Sequence, residues 1–316
     1  MDFVWIWLSV LLTAAALVLI AAYVCFRMAF YVKPSYRKKP RPEFDLPSGP
    51  VYEPFHPQMR EWMRQTREIP HEEVSITSFD GLRLCGKLYI CSPEAPIEIM
   101  LHGYRSHAER DMCGAVLRCF RLGRNALIVD QRAAGKSEGN VITFGVKESR
   151  DCRGWVDYLI ARFGENCRLM LTGMSMGAAT VLITAGTDLP PQVVSVLADC
   201  GYTTAREMIC KTIGEMKLPA ALLYPLVRLG GKVFGGFDVE DASPLRAMST
   251  CRVPVIFIHG EADAYVPCEM SRRNFDACPA EKAIFTVPDA DHGLAYLVDT
   301  EGYFAALSAF IAKTES

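Results

Sequence analysis

The stretch LMLTGMSMGAAT, Leu169 to Thr180, decides how the chain is read. An apolar, strand-like run leads into Gly173-Met174-Ser175-Met176-Gly177, and small helix-forming residues follow. In a G-x-S-x-G turn between a strand and a helix, the strained backbone lifts the serine hydroxyl into the open. Glycine is needed at 173 and 177 because side chains there would collide with the neighbouring strand and helix. The pentapeptide alone also suits a plain glycine turn, so its weight comes from the strand and helix around it.

Working outward, short Val/Ile/Leu-rich runs alternate with helix-length segments. IEIMLH (97–102), ALIVD (126–130), RLMLTG (168–173), VVSVLAD (193–199), VPVIFIHG (253–260) and KAIFTVP (282–288) read as strands. Helices are expected near 111–122, 146–163, 176–186, 267–277 and 301–313. Continuous apolar strands separated by helices predict an α/β fold with a mostly parallel sheet covered on both faces. Upstream, VSITSF and LRLCGKLYI flank Asp80-Gly81, which predicts an antiparallel hairpin at the start of the domain, and a short helix is expected at 57–67. Between residues 202 and 241 the alternation stops. A bare connection of that length is unusual in a compact domain, so a helical cap over the strand ends is expected there, with a peripheral packing insertion as the alternative.

A serine hydroxyl is a weak nucleophile and needs a base within reach and an acid to orient that base. Of the six histidines, His56 and His71 precede the hairpin and read as surface residues, and His102 and His259 end strands where an imidazole serves a turn. His292, in PDADHG after the last strand, is the expected base. Asp263, in HGEADAYVP, is the expected acid, and Asp199 at the end of VVSVLAD is its rival. Asp289 and Asp291 suit loop hydrogen bonds, and Asp130 suits a turn-stabilising pair with Arg132. The oxyanion would be held by the backbone N–H of Met176 and by that of Tyr104, in the loop where Gly103 lets the backbone approach.

The chain has 316 residues, half of them apolar, with 34 basic and 36 acidic residues for a net charge of −2. That balance offers no electrostatic pull toward phosphate backbones, so nucleic acid is excluded as the expected partner. Twelve cysteines fall mostly inside apolar runs, with no C-x-x-C pair, as in a protein of a reducing compartment. From Phe3 to Phe26 no residue is charged. Those residues make ~36 Å of helix, enough to cross a bilayer. Arg27, Lys33, Arg37, Lys38, Lys39 and Arg41 follow it, an excess that marks the cytoplasmic flank. Because Asp2 precedes the run and the run is long, a cleaved signal peptide is the weaker reading. The expected organisation is a single-pass anchor over residues 1–32, a Pro/basic linker with a short helix over 33–70, and a catalytic domain over 71–316 facing the cytoplasm.

Taken together, GMSMG, HGEAD, DADHG, LHGY and VDQRAAGKSEG resemble the α/β hydrolase superfamily, and most of all its bacterial serine aminopeptidase/dienelactone hydrolase-like branch with membrane-anchored members. The resemblance covers residues 72 to 313. It implies an eight-stranded, mostly parallel sheet, Ser175, Asp263 and His292 as a triad, Tyr104 and Met176 as oxyanion donors, a cap at 202–241, and neither metal nor organic cofactor. The alanines of the DQRAAGKS loop depart from related sequences, so nothing about substrate is carried over there. The expected function is a serine hydrolase, foremost a carboxylesterase on an apolar or lipid-like small-molecule ester. A peptidase or an acyltransferase uses the same chemistry. A non-catalytic, membrane-anchored binding protein is the competing class, since fold does not fix function, and the presence of all three triad members weighs against it.

Overall fold

The computed structural model describes residues 2–34 and 42–315; the expected basic residues Arg37, Lys38, Lys39 and Arg41 lie outside them. The strands are β1 (Glu72–Thr77), β2 (Arg83–Tyr89), β3 (Ile97–Leu101), β4 (Asn125–Asp130), β5 (Leu169–Met174), β6 (Val193–Asp199), β7 (Val255–Gly260) and β8 (Lys282–Val287). They form one eight-stranded sheet in the order β1-β2-β4-β3-β5-β6-β7-β8. β2 pairs antiparallel with both β1 and β4, and every later pairing is parallel. The Asp80-Gly81 turn closes the β1–β2 hairpin, with Ser78 N–H donating to the Leu82 carbonyl across it.

The helices of the soluble part are α2 (His56–Glu68), α3 (Ala108–Arg121), α4 (Glu148–Phe163), α5 (Met176–Ala185), α6 (Ala205–Glu215), α7 (Ala220–Gly230), α8 (Pro244–Met248), α9 (Cys268–Ala277), α10 (Ala295–Val298) and α11 (Thr300–Thr314). Period-two alternation along the buried strands sorts them into layers. Ile97, Ile99 and Leu101 of β3 face α4 and α5, where Trp155, Val156 and Val181 complete the main core. Met100 of the same strand faces Met112 and Val116 of α3, and Leu197, Ile256 and Ile258 face Tyr303 and Leu307 of α11. All twelve cysteines are free thiols.

Residues 202–241 contain α6 and α7, a π-helical turn at Gly231–Gly235 and a 3-10 turn at Val239–Asp241. An N-terminal helix, α1 (Asp2–Ala29), is long and apolar enough to cross a membrane. From Phe3 to Ile20 every residue is exposed. Its last third behaves differently: Ala22, Phe26 and then Phe30 are buried against the α6–α7 insertion. Phe30 stacks edge-on against Phe237, with ring centroids 5.0 Å apart. The chain then pairs with the 140–142 segment, Val32 N–H donating to Asn140 O (2.8 Å) and Ile142 N–H to Phe30 O (2.8 Å). The stretch read from sequence as a Pro/basic linker makes contacts with the domain past residue 42. Asp45 lies 3.1 Å from His107, Arg67 donates to the Glu43 carbonyl, and Tyr52 reaches the His292 loop.

Gly230 is where α1 and α7 cross. A Cβ there would overlap the Ala22 carbonyl and the Phe26 side chain. Gly230→Val should lever the two helices apart at a cost of about 1–3 kcal/mol. The thermal midpoint of the detergent-solubilised protein should fall by a few degrees. An unchanged midpoint would show that the crossing carries no packing energy.

Candidate active site

β5 ends at Met174, and the chain turns at once into α5. Ser175 sits in that turn at φ 57°, ψ −116°, a backbone conformation an L-residue adopts only when its surroundings force it. The surroundings are its neighbours' lack of side chains. A Cβ on Gly177 would run into the Leu101 carbonyl of β3, and one on Gly173 into the backbone of Gly177. The Ser175 N–H donates to the Asp199 carbonyl of β6 at 2.8 Å, which ties the turn to the adjacent strand.

The structure brings Ser175, His292 and Asp263 together from the ends of β5, β8 and β7. His292 Nε2 lies 2.9 Å from Ser175 Oγ, and His292 Nδ1 lies 2.7 Å from Asp263 Oδ2. A carboxylate accepts only, so Nδ1 carries the proton and Nε2 is left to accept from the serine hydroxyl. The ring is steadied further by Tyr265, packed edge-on at 5.1 Å. Its backbone is held by Asp291, whose Oδ1 accepts from His292 N–H and Ala264 N–H, and by Tyr52, whose hydroxyl donates to the His292 carbonyl.

Asp263 is buried, and burial alone would raise its pKa. Hydrogen bonds from His259 and His292, the charge of His292 and the Val266 N–H overcome this and hold it down at about 2. Its Oδ1 accepts from the backbone N–H groups of Tyr265 (2.9 Å) and Val266 (2.7 Å). A carboxyl whose folded pKa lies below its unfolded value of about 3.9 stabilises the fold above pH ~4, and that contribution is lost as pH falls toward 2. The contribution is on the order of 2 kcal/mol. Acid titration followed by denaturant unfolding should show this slope in the wild type and not in Asp263→Asn. Equal slopes would remove the assignment.

The loop after β3 faces the serine. Gly103 N–H donates to Asp111 Oδ2 (2.8 Å) and Ser106 Oγ to Asp111 Oδ1 (2.6 Å), so one carboxylate on α3 clamps the loop. Gly103 passes so close that a Cβ on it would lie 3.5 Å from that of Ser175. Among the described residues, the backbone N–H groups of Tyr104 and Met176 donate to no protein acceptor. The Tyr104 hydroxyl donates to the Ala29 carbonyl (2.7 Å) and Arg105 Nη2 to the Met28 carbonyl (2.6 Å), which ties this loop to the last turn of α1. A cavity of about 350 Å³ opens beside Ser175 and His292, lined by Tyr52, Trp62, Tyr104 and Tyr296 among others.

The remaining expectations sort as follows. Asp199 also lines the cavity, but its Oδ2 accepts from Tyr303 (3.1 Å), its Oδ1 has no hydrogen-bond partner among the described residues, and burial pushes its pKa up. It makes no hydrogen bond to His292. His102 serves its turn, with Nδ1 at 2.8 Å from the Gly103 carbonyl and Nε2 accepting from Gln131 N–H. The expected Asp130–Arg132 pair does not form. Asp130 accepts from Ala108 N–H and Lys136 N–H, while Arg132 bonds Asp151 through two nitrogens (2.7 and 2.8 Å) and also reaches Asp80. The guanidinium finds a buried fork on α4 that adjacency in sequence does not show. His259 was read only as a turn residue, yet its Nε2 lies 3.2 Å from Asp263 Oδ2 and 2.8 Å from the Val266 carbonyl, and its Nδ1 lies 2.7 Å from Ser271 Oγ. Its place four residues before the acid in HGEAD was the available signal.

Cys200 Sγ shares a 4.8 Å cluster with the ligand atoms of Asp263 and His292, the one group of metal-ligand spacing among the described residues. Burial, with the Asp199 and Asp263 carboxylates adding to it, pushes the Cys200 thiol well up, so it stays neutral. The other two are already bonded to each other. The arrangement suits proton transfer between serine and imidazole, with the carboxylate holding the imidazolium.

No family model matches the chain. Among relatives, the protein YqkD of Bacillus subtilis, of uncharacterised function, is 28% identical over 191 residues, 60% of this chain and 63% of its own, so the match spans under two thirds of that relative. Protein bem46 of Schizosaccharomyces pombe is 24% identical over 253 residues, 78% of each chain. Among solved structures, the esterase Pf2001 of Pyrococcus furiosus superposes with a TM-score of 0.62 at 25% identity, covering 80% of this chain and 96% of that one.

Proposed function

We propose that this chain, which has the α/β hydrolase fold, is a membrane-anchored serine hydrolase with Ser175, His292 and Asp263 as its catalytic triad. The observation that carries the reading is the unbroken line from Ser175 Oγ through both nitrogens of His292 to Asp263 Oδ2, at 2.9 and 2.7 Å. Neither a turn nor a packing role requires that alignment. His292 Nε2 takes the hydroxyl proton as Oγ attacks the acyl carbon. The tetrahedral oxyanion forms against the free N–H groups of Tyr104 and Met176. The imidazolium, held by Asp263, then gives its proton to the leaving group, and water enters by the same route to release the acid.

The bond cleaved is foremost a carboxylic ester of an apolar acyl group. The aromatic lining of the cavity and the likeness to an esterase support this. Residues 202–241 act as the cap, residues 33–70 as the linker and residues 71–316 as the hydrolase domain. A panel of nitrophenyl esters graded by acyl length, assayed beside aminoacyl amides, tests the substrate class. Turnover should rise from acetyl to medium-chain esters, and faster cleavage of the amides would move the protein to the peptidases.

α1 is retained as a single-pass anchor. Phe26 and Phe30 are buried in the insertion's core and α1 accepts hydrogen bonds from Tyr104 and Arg105, so cleaving it off would strip packing and hydrogen bonds from the domain. The basic excess after the span puts the domain in the cytoplasm. Cys91 is exposed and should stay unmodified when intact cells meet a membrane-impermeant maleimide, then react once the cells are opened. Labelling of intact cells would reverse the orientation.

A further inference from the structure

Between Met216 and Gly236, the helical insertion turns an unusual surface outward. Met216, Leu218, Val233 and Phe234 are exposed, and Leu222 on α7 keeps 66% of its surface open. The same 21-residue segment contains Lys217, Arg228 and Lys232 and no acidic residue. Arg228 and Lys232 pair with Asp238 just beyond the segment (2.7 and 2.8 Å), and outward-facing apolar side chains with only basic residues among them suit an element that lies in the interfacial layer of a membrane. A protein partner is not what this pattern calls for, because α1 already places a bilayer beside it.

Residues Phe3 to Ile20, the fully exposed part of α1, amount to ~27 Å of helix, close to the ~30 Å of a hydrocarbon core. The bilayer boundary therefore falls where α1 begins to be buried, at Ala21–Ala22. That is the level at which α7 crosses it, through Gly230. Phe234 meets Tyr23 of α1 with ring centroids 5.1 Å apart, so the exposed surface of the insertion continues directly from the span. Inward from there, Phe26 and Phe30 share one apolar cluster with Tyr224, Val227, Phe144, Tyr104 and Met176. Phe30 touches Phe144, and Phe144 touches Tyr104, at 5.8 and 5.1 Å. Continuous apolar contact thus links the outer surface to the loop that faces Ser175.

We propose that the segment Met216–Gly236 lies in the interfacial layer of the bilayer that α1 spans, and that the site takes amphiphilic acyl esters from that leaflet. The substrate half rests on the hydrolase reading above; the surface half does not.

The full-length protein, reconstituted in vesicles of phosphatidylcholine and phosphatidylglycerol carrying a photoactivatable acyl chain, tests both. After illumination, peptides from 3–20 and from 216–236 should carry lipid adducts. Adducts confined to 3–20 would overturn the surface, and their absence from both would overturn the anchor with it. Leu222→Glu and Val233→Glu should lower hydrolysis of a long-chain ester dissolved in the vesicles by about tenfold, because each removes an apolar anchor and adds an anion. Hydrolysis of a short, water-soluble ester should be unchanged. Equal rates on both esters would overturn delivery from the leaflet. A wild type that cleaves neither ester, with the adducts in place, would overturn the hydrolase reading and the substrate half while leaving the surface standing.

Discussion

Ser175→Ala should abolish turnover, lowering kcat by roughly a millionfold, to the level left by oxyanion binding alone. The expected size follows from the geometry. Among the described residues Ser175 Oγ is the one hydroxyl that His292 Nε2 meets, and removing it leaves the base with nothing to activate. The substitution should spare the fold. Alanine and serine face the same backbone cost at φ 57°, and the bond from residue 175 N–H to the Asp199 carbonyl is untouched. A fluorophosphonate probe followed by intact mass should add one adduct to the wild type and none to the variant, with identical circular dichroism. Equal labelling of both would reject Ser175 as the nucleophile.

Asp263→Asn should be nearly as severe, with kcat lower by about ten-thousandfold. Asp263 Oδ2 accepts from His292 Nδ1, and Oδ1 is already committed to two backbone N–H groups. An amide that keeps its oxygen on the backbone donors must turn its NH₂ toward His292. The imidazole would then adopt the tautomer with its proton on Nε2, which cannot accept from serine. Asp199 is the control. Its carboxylate holds Tyr303 and makes no hydrogen bond to His292, so Asp199→Asn should cost no more than about tenfold in kcat. A larger loss in Asp199→Asn than in Asp263→Asn would transfer the role of the acid.

Much of this was legible in the sequence because the signals are local. Continuous apolar strands, the Asp80-Gly81 turn and the G-x-S-x-G turn each state their geometry within a dozen residues, and the eight-stranded sheet follows. Ser175 and His292 could be proposed from their places after strands, and the order Ser, Asp, His narrowed the acid to two residues. What escaped depends on contacts that only the folded chain makes. His259 reaches Asp263 because the end of β7 curls back on itself. Arg132 prefers a buried fork on α4 to its neighbour Asp130. Tyr52 meets His292 across 240 positions. The end of α1 escaped for a different reason: a membrane-length apolar run says nothing about which of its residues face lipid and which face protein.

That docked end changes what kind of attachment the helix provides. A flexible leash would let the catalytic domain sweep a hemisphere of solvent and collide with the lipid surface at random. Here the Ala22–Gly230 crossing and the bonds from Tyr104 and Arg105 make α1 a mast, and on the proposed membrane-anchored reading it fixes both the height of Ser175 above the lipid and the direction it faces. On that reading, lengthening the chain after residue 33 would leave that height unchanged, whereas inserting one residue into α1 between Ile20 and Ala21 would rotate the mast by about 100° and set the domain at odds with the membrane plane.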